Sequence, residues 1–234
     1  MSASRAWPRW LSWTVALVPP LFWAASLWFS QAHEASFLSL TVEDGWIENG
    51  QVVLFLLAGL LSAAISRMLR RAHRTGWAVL YGVFALALVW VAGEEISWGQ
   101  RFFVFQTPGW FRIRNVQGEA NLHNIDAVSK LLDVVVQYAL IGLSCLSGIL
   151  WKLGEARKRR WAIRLWVPHP MLVPSWLCAL SYSLLRRWYL WRNPDERHVS
   201  LVVSRLQEPR ELIVAAAIAV FLWSLRRTLA RGDC

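Results

Sequence analysis

Charged residues are scarce in this chain: they make up 17% of its 234 residues, whereas hydrophobic residues make up 56%. A soluble domain of this length needs a more polar surface than such a composition provides. Several segments are nearly uninterrupted apolar runs of about 20 residues, the length needed to cross the hydrocarbon core of a bilayer. The sequence therefore predicts an all-α bundle that crosses a membrane several times.

Other absences exclude whole classes of function. The three cysteines do not suggest a disulfide framework, and two of them, Cys145 and Cys178, fall inside apolar runs as small buried side chains. The catalytic signatures of soluble enzymes, such as GxSxG, a Walker loop or a Rossmann fingerprint, are missing. The net charge of +10 comes without a stacking or groove-reading motif, so we expect no nucleic-acid partner. The basic residues lie largely in short loops, where they orient the chain and contact membrane lipids.

The apolar runs predict about six transmembrane helices in a single integral-membrane domain of residues 1–234. A cleaved signal peptide is the alternative for the first run, but its length, its tryptophans and Pro19-Pro20 favour a retained, kinked anchor. The basic loops place both termini in the cytoplasm. The predicted spans cover residues 10–30, 45–66, 76–98, 123–150, 163–190 and 210–225, and an amphipathic segment over residues 100–122 lies outside.

The acidic residues collect on one side of this predicted topology. Of the fifteen carboxylates, all except Glu155 and Asp233 fall outside or at the outer ends of helices. Acidic residues contribute little to orientation, so their clustering needs another cause. Ionisable groups next to a bilayer are costly and by default indicate a functional site. We therefore expect the site at the outer helix ends.

The candidate site combines carboxylates with one imidazole from four helices. This donor set suits a divalent metal ion such as zinc, iron or manganese, and without a cation the carboxylates would repel one another. Glu94 and Glu95 point about 100° apart on a helix, so one of them is expected to enter the site. Arg101 would return to the side of Glu94 if that helix continued. The predicted metal ligands are Glu48, Glu94, His123 and Glu211.

The neighbouring residues receive the remaining roles. Glu95 or Asp126 is the expected general base toward a metal-bound water. Asp126 shares a helical face with His123, Lys130, Asp133 and Gln137 at steps of three and four residues. For the lower part of that stripe we favour an internal ion-pair ladder, in which Lys130 neutralises Asp126 and Asp133. Arginine and amide groups of the outer segment suit a lipid headgroup, with plain interfacial anchoring as the alternative. The predicted substrate-binding residues are Gln100, Arg101, Asn121 and Asn124.

A group of uncharacterised bacterial multi-pass membrane proteins resembles this chain in the strings EDGWIEN, GEEISWGQRFF and NVQGEANLHN. The resemblance implies a location in the bacterial cytoplasmic (inner) membrane and no particular activity. Glu48-Asn49 together with Ser97, His123 and Asp126 also resembles parts of the ceramidase-like membrane hydrolases, which use His-bound zinc beneath a lipid. The paired late histidines of those hydrolases are missing here, because the last predicted span contains no histidine.

Three functions are compatible with these patterns. The leading hypothesis is a metal-dependent integral-membrane enzyme that acts on a lipid or lipid-linked substrate at the outer leaflet. An ion- or proton-coupled membrane transporter is the second, because acids beside a bilayer can bind protons or cations. A non-catalytic membrane scaffold or assembly protein, with the outer acids as its docking surface, is the third.

Overall fold

The structure is a computed structural model of the chain and describes residues 9–42, 45–103, 105–115, 118–123, 125–156, 165, 167–193 and 197–231. Within these ranges the chain is helical and has no β-strand, which confirms the predicted all-α class. An isolated β-bridge joins Asn115 to Ile125. The α-helices are α1 (Arg9–Ala32), α2 (Glu34–Leu40), α3 (Trp46–Arg71), α4 (Thr75–Glu95), α5 (Gln100–Phe103), α6 (Gly109–Arg114), α7 (Asp126–Ala156), α8 (Val173–Arg192), α9 (Arg197–Arg205) and α10 (Gln207–Ala230).

Five segments of the described chain are long and apolar enough to cross a membrane. Their outer faces carry large apolar side chains, such as Leu60 with 68% and Leu86 with 72% of its surface exposed. Water disfavours continuous apolar faces of this kind, whereas lipid chains solvate them. The chain thus has the features of a multi-pass membrane protein. The five segments are Trp10–Ala32, Trp46–Arg71, Thr75–Glu95, Ala127–Trp151 and Leu201–Ala230.

The predicted fifth span, residues 163–190, is not among these five segments. The corresponding helix, α8, starts at Val173 and carries Arg186, Arg187 and Arg192 in its second half, which lowers its apolarity. Residues 163 and 164 lie outside the described ranges. The count of six spans therefore stays a prediction, with five supported by length and composition.

The last helix, α10, begins at Gln207 rather than at the predicted residue 210. Glu208 in its first turn suits the positive end of the helix dipole. Pro209 also fits there, because the first N–H groups of a helix have no intrahelical acceptor to lose. The earlier start brings Glu208 into the same helix as Glu211, three residues further on.

The central pair of helices, α3 and α4, packs antiparallel through small residues. The Ser62 hydroxyl donates a hydrogen bond to the Tyr81 carbonyl at 2.7 Å, and the Ser66 hydroxyl donates to the Ala78 carbonyl at 2.6 Å. A Cβ atom built on Gly59 would lie 3.2 Å from Val89 Cγ2, so the two backbones approach closely at this point. Helix α10 packs on the other side of α3, and residues of all three helices form the largest apolar core.

This packing gives the three-helix unit two chemically different ends. The acid end consists of the first turns of α3 and α10 and the last turn of α4, and the basic end lies opposite to it. Acids at helix N-termini and bases at helix C-termini both suit the helix dipole. The basic end carries Arg67, Arg70, Arg71, Arg74, Arg226, Arg227 and Arg231.

Candidate functional site

Four carboxylates meet at the acid end and form what we call the four-carboxylate cluster: Glu48, Glu95, Glu208 and Glu211. Glu48 lies in the first turn of α3, Glu95 is the last residue of α4, and the other two lie in the first turns of α10. The charges of Glu48, Glu208 and Glu211 all act electrostatically on Glu95. The structure therefore brings acids from three helices together, although they are far apart in the chain.

The negative charge of Glu95 is the least compensated in the cluster. Its side chain is partly buried, and its electrostatic partners are Glu211, Glu208, Glu48 and Glu94, all of them acids. In the described part of the structure it accepts no hydrogen bond and forms no ion pair. It also sits at the C-terminal end of α4, where the helix dipole disfavours a negative charge. A cation or a proton would stabilise this carboxylate.

The other members of the cluster have polar partners. Gln51 Nε2 donates to Glu208 Oε2 at 3.0 Å, and Glu211 Oε1 accepts from Gln207 Nε2 at 2.7 Å. Arg210 Nη2 lies 3.1 Å from the same Glu211 oxygen. The arginine is 5% exposed, so this ion pair is largely shielded from water and bulk screening.

Glu94 faces away from the cluster and fastens the loop that precedes α7. Its Oε1 accepts a hydrogen bond from Trp98 Nε1 at 2.7 Å. Its Oε2 accepts from the backbone N–H groups of Leu122 at 2.6 Å and of His123 at 3.0 Å. These three donors offset the cost of a carboxylate that is 5% exposed at the end of a helix.

A second set of hydrogen bonds continues this arrangement through the same loop. Asn121 Nδ2 donates to Ser97 Oγ at 2.8 Å, and the Ser97 hydroxyl donates to Glu119 Oε2 at 2.5 Å. Asn115 Nδ2 donates to Asn121 Oδ1 at 2.7 Å, and Gln100 Oε1 accepts from the Ala120 N–H at 2.8 Å. We call this network, with Glu94, the polar clasp. Its members are Glu94, Ser97, Trp98, Gln100, Asn115, Glu119 and Asn121.

The clasp depends on an unusual backbone turn directly after α4. Ser97, Trp98 and Gly99 all have left-handed backbone conformations, with φ of 46°, 56° and 75°. Such conformations cost free energy for residues other than glycine, and here the hydrogen bonds of Ser97 and Trp98 offset that cost. The turn ends α4 at Glu95 instead of residue 98, so the continued helix that would have returned Arg101 to the side of Glu94 is not present.

Gly93 makes room for this turn. The indole ring of Trp98 folds back over α4 and packs edge-on against Trp90, with 4.7 Å between ring centroids. A Cβ atom on Gly93 would lie 2.9 Å from the Trp98 ring, closer than real contacts allow. The Gly-Glu-Glu string therefore has a steric cause as well as an electrostatic one.

His123 lies at the boundary between the clasp and the outer surface. Its Nδ1 is 3.6 Å from Glu94 Oε2, beyond hydrogen-bonding distance but within reach of an ion pair when the imidazole is protonated. The side chain is 30% exposed. The histidine is thus held to Glu94, mainly through its backbone N–H, and not among the four clustered acids.

Comparison with protein-family models, with curated proteins and with solved structures finds no match to this chain. We therefore infer function from the geometry of these residues.

The predicted metal ligands divide between the two arrangements. Glu48 and Glu211 belong to the four-carboxylate cluster, whereas Glu94 and His123 belong to the clasp region. Among the described residues, no group of three or more His, Cys, Asp and Glu side chains is placed to hold a metal ion directly. The predicted centre would require Glu94 to exchange some of its N–H partners for the ion, and it stays a prediction.

The structure places the predicted catalytic and substrate-binding residues in different surroundings. Glu95 lies in the four-carboxylate cluster, and its catalytic role stays a prediction. Gln100 and Asn121 bond within the clasp, and Asn121 is 1% exposed, so in this arrangement they position the loop. Asn124 and the side chains of Arg101 and Asp126 lie outside the described part of the structure.

Sequence reasoning missed two residues of the cluster region, Gln51 and Glu208. Both were detectable from helical spacing: Gln51 follows Glu48 by three residues, and Glu208 precedes Glu211 by three. Residues three apart lie on the same face of a helix. The early start of α10 was the missing information for Glu208.

Proposed function

We propose that the protein is embedded in the bacterial inner membrane, with six spans, both termini in the cytoplasm and the acid end on the outer side. The charge distribution of the three-helix unit supports this orientation. Apart from Arg210, which pairs with Glu211, its arginines gather at the opposite end from its acids, as expected when basic residues stay on the cytoplasmic side. Helix α8 would supply the sixth span in association with the other helices.

We further propose that the protein is a membrane enzyme that acts on a lipid or lipid-linked substrate at the outer leaflet. The observation that carries this proposal is the position of the four-carboxylate cluster at the ends of α3, α4 and α10. Its members lie in the first and last turns of the membrane helices, which is where lipid headgroups meet the protein. Substrate sites of secondary transporters lie near the bilayer midplane instead.

The segment that follows α4 supports an interfacial substrate. Phe103 is 80% exposed and Ile113 84% exposed, and the Arg114 guanidinium lies 4.7 Å from the centre of the Trp110 ring. Exposed aromatic residues next to arginine are typical of headgroup depth. The polar clasp fixes this segment to the end of α4, next to Glu95.

Glu95 is the residue best placed to take up a proton from a reacting hydroxyl or water. Among the described carboxylates of the cluster it has acidic partners alone, so both of its oxygens remain available as acceptors. A general base must reach the proton that it abstracts, and the position of Glu95 at the helix end gives a headgroup access to it.

Ion- or proton-coupled transport is the second candidate, and the isolation of Glu95 among acids favours it. A carboxylate with like-charged neighbours binds a proton or a cation readily, and such acids form relays in membrane pumps. The two functions differ in what they change: an enzyme alters the chemical identity of a lipid, whereas a transporter alters a gradient.

The test compares lipids from bacteria that express the wild type, Glu95→Gln or Glu34→Gln. Glu34, in the first turn of α2, is the matched control because it lies outside the cluster and the clasp. Mass spectrometry is expected to show a lipid or lipid-linked species that changes with the wild type and Glu34→Gln but not with Glu95→Gln. Identical lipid profiles, together with Glu95-dependent dissipation of a pH gradient in proteoliposomes, would support transport and overturn the enzymatic proposal.

A further inference from the structure

We propose that two copies of this chain associate in the membrane through α7, side by side about a two-fold axis. The proposal stands apart from the enzymatic one, since self-association is measured without turnover. We call the shared surface the α7 face, and its residues are Val134, Gln137, Tyr138, Ile141, Cys145 and Gly148.

The rest of the chain leaves the α7 face open. Helix α7 packs against α8 on another side, where Leu140 is buried in an apolar cluster with Trp176. On the α7 face, Tyr138 is 71% exposed and Cys145 is also exposed. A Cβ atom built on Gly148 would have no neighbouring atom within 4 Å. In the described structure this side of α7 therefore meets whatever lies beside the protein in the bilayer.

Polar side chains in the middle of the α7 face distinguish it from an ordinary lipid-facing surface. The apolar span of this helix covers Ala127–Trp151, and Gln137 and Tyr138 lie near its middle. Gln137 is half-buried, and among the described residues neither its amide nor the Tyr138 hydroxyl has a hydrogen-bond partner. No water is present at this depth to replace one, so the open amide is costly in lipid. Glutamine side chains in membrane helices form hydrogen bonds across helix–helix interfaces.

A second copy supplies the missing partner by symmetry. In a two-fold dimer within one membrane, each residue meets its own copy at the same depth. An amide is both a donor and an acceptor, so two Gln137 side chains can bond each other reciprocally, and such a pair also fixes the register of two helices. Lys130 lies on the same side of α7 but near its start, where its long side chain can extend to the headgroups instead of opposing its copy.

The shape of the α7 face also suits a second helix. Val134, Tyr138, Ile141, Cys145 and Gly148 follow one another at steps of four and three residues, the spacing with which two helices interlock their side chains. The small residues Cys145 and Gly148 allow two backbones to approach closely, as at other membrane helix interfaces. A second copy presents this same pattern at the same depth, and we therefore infer a dimer of the chain with itself.

The experiment counts copies of the full chain in phosphatidylcholine vesicles. Each chain carries one fluorophore, and single-molecule photobleaching gives the copies per complex at decreasing ratios of protein to lipid. Gln137→Leu removes the amide, which bonds nothing in its own chain, and Gly148→Leu prevents close approach. The matched controls are Gln31→Leu, at the exposed end of α1, and Gly76→Leu, in open space at the start of α4.

The wild type and both controls are expected to form pairs that separate on dilution. Gln137→Leu should raise the dissociation constant about tenfold, and Gly148→Leu at least as much. Single copies of the wild type at every ratio would overturn the proposal and leave lipid or another protein on the α7 face. Pairs that neither substitution weakens would also overturn it.

The native thiol of Cys145 provides a second readout. Two-fold symmetry brings the two Cys145 side chains together at one depth, whereas Cys178 is buried. Oxidation of Cys234→Ser in vesicles should therefore produce a disulfide-linked pair, and adding Cys145→Ser should abolish it. Photobleaching pairs without this cross-link would place the interface on another helix and refute the assignment to α7.

Discussion

Removing the Glu94 carboxylate is expected to release the polar clasp, whereas removing its neighbour Glu95 is not. In Glu94→Ala, the Trp98 indole N–H and the backbone N–H groups of Leu122 and His123 lose their acceptor. A hydrogen bond to a charged group contributes about 1.5–3 kcal/mol, but the loop is partly exposed and water replaces some of this. Removing the negative charge of Glu94, which lies beside Glu95 and at a helix C-terminus, stabilises the protein by about 1 kcal/mol.

The net loss of stability is therefore about 3 kcal/mol for Glu94→Ala. For a chain of this size that loss lowers the unfolding midpoint by roughly 6–12 °C. Glu94→Gln keeps one acceptor oxygen and should lose about half as much. Glu95→Ala removes no hydrogen bond and relieves repulsion, so its midpoint should stay equal or rise.

Hydrogen–deuterium exchange locates the effect. The amides of Leu122 and His123 should exchange slowly in the wild type and in Glu95→Ala, and much faster in Glu94→Ala. Rapid exchange of these two amides in the wild type would refute the clasp. So would equal destabilisation by the two alanine substitutions, because it would mean that a general charge effect, and not these three hydrogen bonds, is responsible.

Two further substitutions test the surroundings of the site. Gly93→Ala places a methyl group 2.9 Å from the Trp98 ring and should destabilise the protein by about 1–3 kcal/mol in thermal unfolding. The control is Gly76→Ala, which lies in open space on the same helix and should be neutral or slightly stabilising. Equal effects of the two substitutions would contradict the steric argument. Arg210→Met leaves Glu211 without its buried partner and should lower the free energy of unfolding by about 3–5 kcal/mol. The double variant Arg210→Met with Glu211→Gln should recover most of this loss. Additive losses in the double variant would show that the ion pair is not the cause.

The helical class and the gathering of acids at one end could be predicted from the sequence because both follow from local patterns. The apolar runs are long enough to cross a bilayer, and the loops between successive spans are alternately basic and acidic. The divergence of Glu94 and Glu95 also follows from the helical repeat. Which of the two would face the other helices does not follow from it, since that depends on the rotation of α4 against α3.

The polar clasp could not be predicted, because neither the turn after α4 nor the loop before α7 has a local sequence signal. Ser97 and Trp98 adopt left-handed conformations that neither residue type favours, and the turn exists only with its tertiary hydrogen bonds. The backbone N–H groups of Leu122 and His123 bind Glu94 from far along the chain. The strings GEEISWGQRFF and NVQGEANLHN are thus to a large extent a folding motif.

The serine hydroxyls between α3 and α4 have a consequence for biogenesis. Because Ser62 and Ser66 find their acceptors on the neighbouring helix, this hairpin satisfies both of these hydroxyl groups internally. It can therefore enter the membrane as a unit while the ribosome is still translating the rest of the chain. Glu208 and Glu211 are synthesised much later, so Glu95 meets these two of its four acidic neighbours only when α10 docks against α3, and the four-carboxylate cluster would be completed at the end of assembly.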